Sequence, residues 1–339
     1  GESFLRYNLR SLYPFAHQII VVEGASPAAF AASNPDGHST DDTRRTLLDF
    51  KQEEDPENKL TIVTAEDEGH QNGFWPGEKD EQSQAYAKRA TGDYLWQVDI
   101  DEFYHPDDIN KILDILQNDP SISQINVPWL NFWGDFNYIV DGLFLQKHYR
   151  DLGGGVPRIF QWGPGYSYVK HRPPTVIDAN GRDVRKGTWL KGTDLAMKGI
   201  YCYHYATIFA ELIEKKILYY EKMNWDGLGN FIDWYHDNFL SLKHPFNIHH
   251  VTTEISWLES FSGKHPPHII EMINDMKEQT LTLTRRDNKE IDRLLESKRY
   301  RIGRYILKKY IHHLIVLRKL FPVLERSGER LFKAIFSPH

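Results

Sequence analysis

Apolar positions first recur at helical spacing in Phe4, Leu5, Leu9 and Leu12, and Pro14 stops the run, which predicts a helix over residues 4–13. Ile19-Ile20-Val21-Val22 follows at once and reads as a short strand. Residues 27–38 are rich in Ala, Pro, Asn and Gly, as in an inserted loop. Thr40, Asp41 and Asp42 then suit the cap of a helix running through Leu47, Leu48 and Phe50. Leu60-Thr61-Ile62-Val63 is the next strand, and a helix over 78–90 is entered after Pro76-Gly77. It leads to an apolar and aromatic run at 94–98, bounded by Gly92-Asp93 on one side and by acids on the other. Pro106 and Asp107 open a helix that carries Ile109, Ile112, Leu113 and Leu116 on one face and closes before Pro120. Ile122–Val127 is a further strand. This alternation predicts βαβ units and an α/β domain with a mostly parallel sheet.

From 129 to 205 the pattern changes to aromatic, β-like pieces between Gly and Pro turns, ending in a strand at 200–205 and a helix at 209–220. Residues 224–267 read as irregular. Helices follow at 268–279, 288–295 and 300–320, with a last one reaching Phe336. The expected division is an α/β domain over 1–255 and a helical, basic extension over 256–339. A chain of 339 residues can bury a full core. Cys202 is the sole cysteine, so no internal disulfide forms, and a reducing, cytoplasmic compartment is expected. No apolar run reaches membrane-spanning length.

The net charge of −6 conceals an asymmetry. Residues 285–339 hold 15 Lys plus Arg against 6 Asp plus Glu, a surplus of +9, which leaves −15 on the residues before them. An acidic body argues against nucleic acid as a partner, and the basic tail favours an anionic surface. Within 300–320, Ile302, Tyr305, Ile306, Lys309, Tyr310, His313, Leu314 and Leu317 recur at helical spacing among Arg301, Arg304, Lys308, Arg318 and Lys319. That pattern suits a helix on the inner, anionic face of a membrane, here 300–336, and equally a helix packed on the body with a solvated basic face.

The chemistry concentrates in Asp99-Ile100-Asp101-Glu102. A buried strand ending in three acids within four residues must meet water, a metal or a ring of donors, because an unpaired buried carboxylate costs several kcal/mol. In open α/β sheets the carboxyl ends of strands are also where ligands bind. Asp-x-Asp alone is weak evidence, and the same acids could cap the helix near Asp107. Gly153-Gly154-Gly155 lacks a following Lys-Ser/Thr and reads as a turn, and His244, His249, His250, His265 and His268 have no zinc-ligand spacing, though they could line a cleft.

The frame Ala90-Thr91-Gly92-Asp93-Tyr94, a strand, then Asp99-x-Asp101-Glu102-Phe103 resembles the Asp-x-Asp segment of family-2-type glycosyltransferases with the GT-A fold. Upstream, Phe4-Leu5-x-x-Asn8-Leu9-x-Ser11-Leu12-Tyr13-Pro14-Phe15, followed by residues 19–26, is similar to that family's first helix and second strand. The resemblance covers about the first third of the chain. It implies transfer of a sugar from a nucleoside-diphosphate sugar to a glycan or glycolipid hydroxyl, with Mg²⁺ or Mn²⁺. Asp99 would then face the sugar nucleotide and Asp101 the metal, with His204 in Tyr203-His204-Tyr205 where many members place a last metal ligand; a partly buried structural His is an equal reading. Glu23 stands where the family usually has an Asp on the base or ribose, and Lys79 and Gln84 lie where it approaches the diphosphate. Arg158, in Val156-Pro157-Arg158-Ile159-Phe160, matches a Pro-Arg-x-Phe segment of related transferases. Lys215 and Lys216 could reach phosphates or be solvated helix charges. For the base that takes the acceptor's proton, His171 and Asp151 are favoured over Asp135, Asp183 and Asp194. The family's usual first strand would lie ahead of Gly1, in a longer chain or supplied from elsewhere. A sugar-nucleotide hydrolase, a nucleotidyltransferase and a non-catalytic glycan-binding module are the rival readings.

Overall fold

The structure is a computed structural model that describes residues 2–77, 79–142, 155–223, 230–249 and 255–320. Helix α1 (Glu2–Leu12) buries Phe4, Leu5 and Leu9, and strand β1 (Ile19–Val22) pairs in parallel with β2 (Leu60–Val63), Ile19 opposite Leu60. Leu5 and Leu9 pack with Leu47 and Phe50 of α2 (Thr43–Glu53) against Ile19 and Leu60. The opposite face of this pair meets Ala85 of α3 (Asp80–Ala87) through Val63, Trp75 and Val22.

A second sheet runs in the order β11-β5-β8-β3, formed by β3 (Tyr94–Trp96), β5 (Ile122–Val127), β8 (Val156–Gln161) and β11 (Thr188–Leu190). Helix α4 (Pro106–Asn118) covers it with Ile109, Ile112 and Leu116 on Ile125 and Ile159. On the reverse face Leu95 and Phe160 meet Ala87 of α3, so α3 covers both sheets. A third sheet, β13-β7-β6-β12-β4, holds β4 (Glu102–Phe103), β6 (Trp129–Trp133), β7 (Asp135–Gly142), β12 (Cys202–Thr207) and β13 (Ser256–Ser260). Its core is aromatic: Phe132 stacks on Tyr205 at 4.4 Å, beside Phe103, Phe136 and Phe209.

The chain is therefore mixed α/β, but the expectation of a mostly parallel sheet is corrected. Only β1–β2, β5–β11 and β6–β12 are parallel among the described strands; β3–β8, β5–β8, β4–β12, β6–β7 and β7–β13 are antiparallel. In the second sheet the cause is β8, which returns from the aromatic half and lies between β3 and β5. In the third, consecutive β6 and β7 fold back on each other, and β13 and β4 pair antiparallel at its edges. The boundary expected at 255/256 falls at the start of β13. β13 forms an edge of the large sheet, and Tyr300 and Leu307 of the helix Lys298–Leu320 pack on its Trp257.

Residues 224–267, expected to be irregular, contain the helical turns Phe231–Trp234 and Tyr235–Leu240 as well as β13. The expected helix reaching Phe336, Gly153 and Gly154 of the expected glycine turn, and His250 lie outside the described residues. The insertion at 27–38 is fastened to the body at two places. His38 Nδ1 lies 2.6 Å from Glu23 Oε2, and Gly37 touches Gly73 so closely that a Cβ on Gly37 would fall 2.1 Å from the Gly73 carbonyl oxygen. Both glycines have positive φ, a region side-chain-bearing residues rarely enter.

Phe160 is fully buried at the centre of the second sheet. Phe160→Ala is expected to cost about 3–5 kcal/mol, read as a lower denaturant midpoint in chemical unfolding.

Candidate active site

The regular pairing of β3 ends where Gln97 N–H donates to Arg158 O at 2.8 Å. Beyond it, Glu102 N–H donates to Asp99 O at 2.9 Å and closes a tight turn that swings the chain into β4. That turn presents Asp99 and Asp101, and the pairing of Glu102 with His204 of β12 brings His204 beside them. Asp99 and Asp101 sit between β3 and β4, whereas His204 comes from β12, about a hundred residues further along the chain.

Arg158, 4% exposed on β8, donates from Nη2 to Asp99 Oδ2 at 2.9 Å and to Glu102 Oε1, and its guanidinium lies 5.0 Å from the Trp129 ring. Burial pushes the Asp99 carboxyl up, but the charges of Arg158 and Lys79 outweigh it and hold Asp99 well below the usual carboxylate range. Glu102 has no exposure; burial pushes it up to about 8 against the pull of Arg158, with Asp99 and Asp101 adding to the rise. One guanidinium is thus shared by two acids, of which Asp99 holds its charge.

Asp101 accepts from Lys216 Nζ at 2.7 Å, and its other oxygen lies 3.7 Å from His204 Nε2. Burial raises its carboxyl, yet Lys216 and His204 bring it below the usual value. Burial lowers His204 to about 4 over the opposing charge of Asp101, so the ring is neutral at pH 7. Its Nδ1 lies 2.8 Å from Asn131 Oδ1 and carries the proton there, leaving the Nε2 lone pair turned toward a carboxylate oxygen. Two acceptors facing each other are stabilised by a cation between them.

Among the described residues no three His, Cys, Asp or Glu side chains converge on one point. Asp101 and His204 therefore offer a two-donor set. It fits Mg²⁺ or Mn²⁺, hard cations often held by one or two protein groups and completed by phosphate and water oxygens.

These residues lie on the wall of a cavity of about 1480 Å³ at the carboxyl ends of β1 and β3. Lys79, His171 and Arg172 face the same space. His171 Nδ1 lies 2.8 Å from Ser83 Oγ; burial lowers its ring to about 4, with Lys79 pushing the same way, so it too is neutral at pH 7. Burial also lowers Lys79. Further in, the wall is aromatic: Trp129, Trp133, Phe231 and Trp234, with His249.

Of the residues expected from sequence, Lys79, Asp99, Asp101, His171 and His204 line the cavity, and Arg158 stands behind Asp99. Glu23 and Gln84 do not line it. Glu23 is buried under His38 and the Ser39 N–H, and Gln84 sits on the exposed face of α3, while Gln82 and Ser83 turn inward. Asp151 lies outside the described residues. Asp135 accepts from Asn288 and Asp183 from Arg185, both away from the cavity, and Asp194 sits in the first turn of the helix Gly192–Met197. Lys215 is exposed and its neighbour Lys216 takes the inward position. His265 is enclosed by Phe132 and Phe261 and bonds Tyr205 Oη at 2.8 Å; His268 pairs with Glu271. Asn131, Trp129 and Arg172 were not expected. The alternation of β6 and the adjacency of Arg172 to His171 are the signals that could have found them.

Comparison with known proteins finds no family model that matches this chain and no matching curated relative.

His171 and His204 have folded values below that of a free imidazole, so the unfolded chain binds more protons as pH falls. Their contribution to stability is complete above about pH 6.5 and is expected to be lost as pH falls toward 4. Chemical unfolding at pH 7 and pH 5 should show the loss, and His204→Gln should flatten part of it.

Proposed function

We propose that this chain is a glycosyltransferase with a GT-A-like arrangement, moving a sugar from a nucleoside diphosphate to a hydroxyl of a glycan or glycolipid. The observation that carries the reading is the turn after β3, where Asp99 and Asp101 meet Lys79, Arg172 and Lys216 on the wall of one cavity. Acids flanked by cations suit a diphosphate bound through a metal, and the aromatic stretch of wall suits the apolar face of a sugar. The rim of basic side chains matches the charge of the departing diphosphate.

In this reading the acceptor oxygen bonds to the anomeric carbon while the bond from that carbon to the diphosphate oxygen breaks, and the diphosphate leaves with the electron pair. Asp101 and His204 would hold Mg²⁺ or Mn²⁺, which when bound neutralises the leaving diphosphate. Arg158 keeps Asp99 ionised and oriented. Lys79, Arg172 and Lys216 attract the phosphates. His171, neutral at pH 7, takes the acceptor's proton. Trp129 and Trp133 shape the inner wall.

Asp101→Asn keeps the shape of the side chain and removes its charge. It is expected to lower transfer at least 100-fold and to abolish manganese-dependent binding of uridine or guanosine diphosphate in calorimetry, with the far-ultraviolet spectrum unchanged. Unaltered turnover of an identified donor would overturn the role, and release of free sugar without any acceptor would mark a hydrolase instead.

We also propose that the carboxyl-terminal helix rests on an anionic membrane surface. No helix among the described residues is long and apolar enough to cross a membrane. Ile302, Tyr305 and Ile306 are exposed on the helix Lys298–Leu320, beside Arg301 and Lys309. Arg304 and Lys308 instead fasten the helix, donating to Leu258 O and pairing with Glu259. Cosedimentation with phosphatidylserine vesicles is expected for the full chain and should fall several-fold in Ile302→Glu/Ile306→Glu; equal binding by the two would remove the proposal.

A further inference from the structure

His171 follows directly on β9 (Ser167–Lys170), a strand that lies along α3. Its main chain is pinned to that helix, because its N–H donates to Asp80 Oδ1 at 2.7 Å. Its ring is held from one side only. Nδ1 lies 2.8 Å from Ser83 Oγ, and Nε2 makes no hydrogen bond among the described residues. The charges that act on the ring are Lys79, Arg172 and Arg158, which oppose its protonation, and Asp99, which favours it.

Which nitrogen carries the proton depends on what stands behind Ser83. That serine is 1% exposed, so its hydroxyl has no bulk water to turn to. Instead it lies among the hydroxyl ends of Tyr86 and Tyr168, whose rings meet edge on at 5.8 Å. Burial pushes both phenols up, so they keep their protons. Tyr168 Oη donates to Gln97 Oε1 at 2.8 Å, and Gln97 stands two positions before Asp99. A hydroxyl has one proton, so toward its other neighbours Tyr168 can only accept.

The direction of the whole row follows. The buried Tyr86 hydroxyl closes no bond of ideal geometry, and the acceptor within its reach is the Tyr168 oxygen. Ser83 then donates to Tyr86 and accepts from His171 Nδ1–H. In this sense each hydroxyl oxygen gives one bond and receives one, and the row ends on an amide oxygen that only accepts. Reversed, with Tyr86 donating to Ser83 and Ser83 to Nδ1, the oxygens of both tyrosines would receive nothing. An interior that excludes water penalises that arrangement.

We propose that Ser83, Tyr86 and Tyr168 are positioning residues: a one-way row of hydroxyls anchored on Gln97 Oε1 holds the His171 proton on Nδ1 and leaves the Nε2 lone pair to the cavity. This rests on the role proposed above for His171 as the base. A proton on Nε2 would make the ring a donor toward the acceptor hydroxyl and unable to take its proton. In the Nδ1–H form, Nε2 takes the proton of the acceptor hydroxyl while its oxygen bonds to the anomeric carbon and the diphosphate leaves with the electron pair. The imidazolium so formed keeps its bond to Ser83, and the Asp99 carboxylate favours its charge. The tautomer is the opposite of the one that a free imidazole side chain prefers in water.

The test reads the ring nitrogens by magnetic resonance in the full chain, with nitrogen-15-labelled histidine and no ligand, at pH 7. The His171 signals, assigned by their loss in His171→Gln, are expected to show a protonated Nδ1 and a bare Nε2. Ser83→Ala and Tyr168→Phe remove a hydroxyl each and keep the packing. Each is expected to shift the ratio of the two ring forms at least tenfold toward Nε2–H. With whichever of UDP-glucose and GDP-mannose the chain turns over, Ser83→Ala should lower kcat at least tenfold and leave the donor's KM unchanged. A native ring protonated on Nε2 would overturn the proposal. So would a ratio unchanged by Tyr168→Phe, or full kcat in Ser83→Ala once its ring has changed form. The spectra need neither donor nor acceptor, so the state of the ring is decided whether or not the chain transfers sugar.

Discussion

One buried guanidinium holds the acid-rich end of β3 together. Arg158 bonds Asp99 and Glu102 at once and lies over Trp129, so it ties β8 to the turn between β3 and β4. Without it, Asp99 would lose the charge that keeps it ionised, and the fully buried Glu102 would lose its donor. The position of β8 directly beside β3 is what lets Arg158 reach the acids at the end of that strand.

A second consequence concerns the division of labour between the acids. Asp99 is ionised and turned toward Arg158, while Asp101 meets Lys216 and the lone pair of a neutral His204. Carboxylates two positions apart in one turn therefore have different partners.

Much of the first third was legible in the sequence. Ile19–Val22, Leu60–Val63 and Ile122–Val127 are strands as their β-branched runs predict, and Pro106–Asn118 is helical on the strength of Ile109, Ile112 and Leu116. These are local patterns, and local patterns survive folding when both faces of a layer are covered. Strand direction in the second half was not legible, because β8 reads the same whether it runs up or down the sheet. Asp99 and Asp101 stood out as acids closing a buried run, and His204 was named only through the family resemblance, but Glu23 could not be placed. Its role depends on His38, brought back by a loop whose course no periodicity describes. Gln84 failed for a simpler reason: on an eight-residue helix a shift of one or two positions exchanges the inward face for the outward one, and Gln82 and Ser83 hold the inward positions.

The meeting of Gly37 and Gly73 limits the freedom of the inserted segment. Two main chains in van der Waals touch, with room for no carbon on either glycine, cannot slide past each other in small steps, and the Glu23 to His38 bond lies next to them. The segment therefore moves only together with the chain that carries Gly73, as one rigid piece of the body.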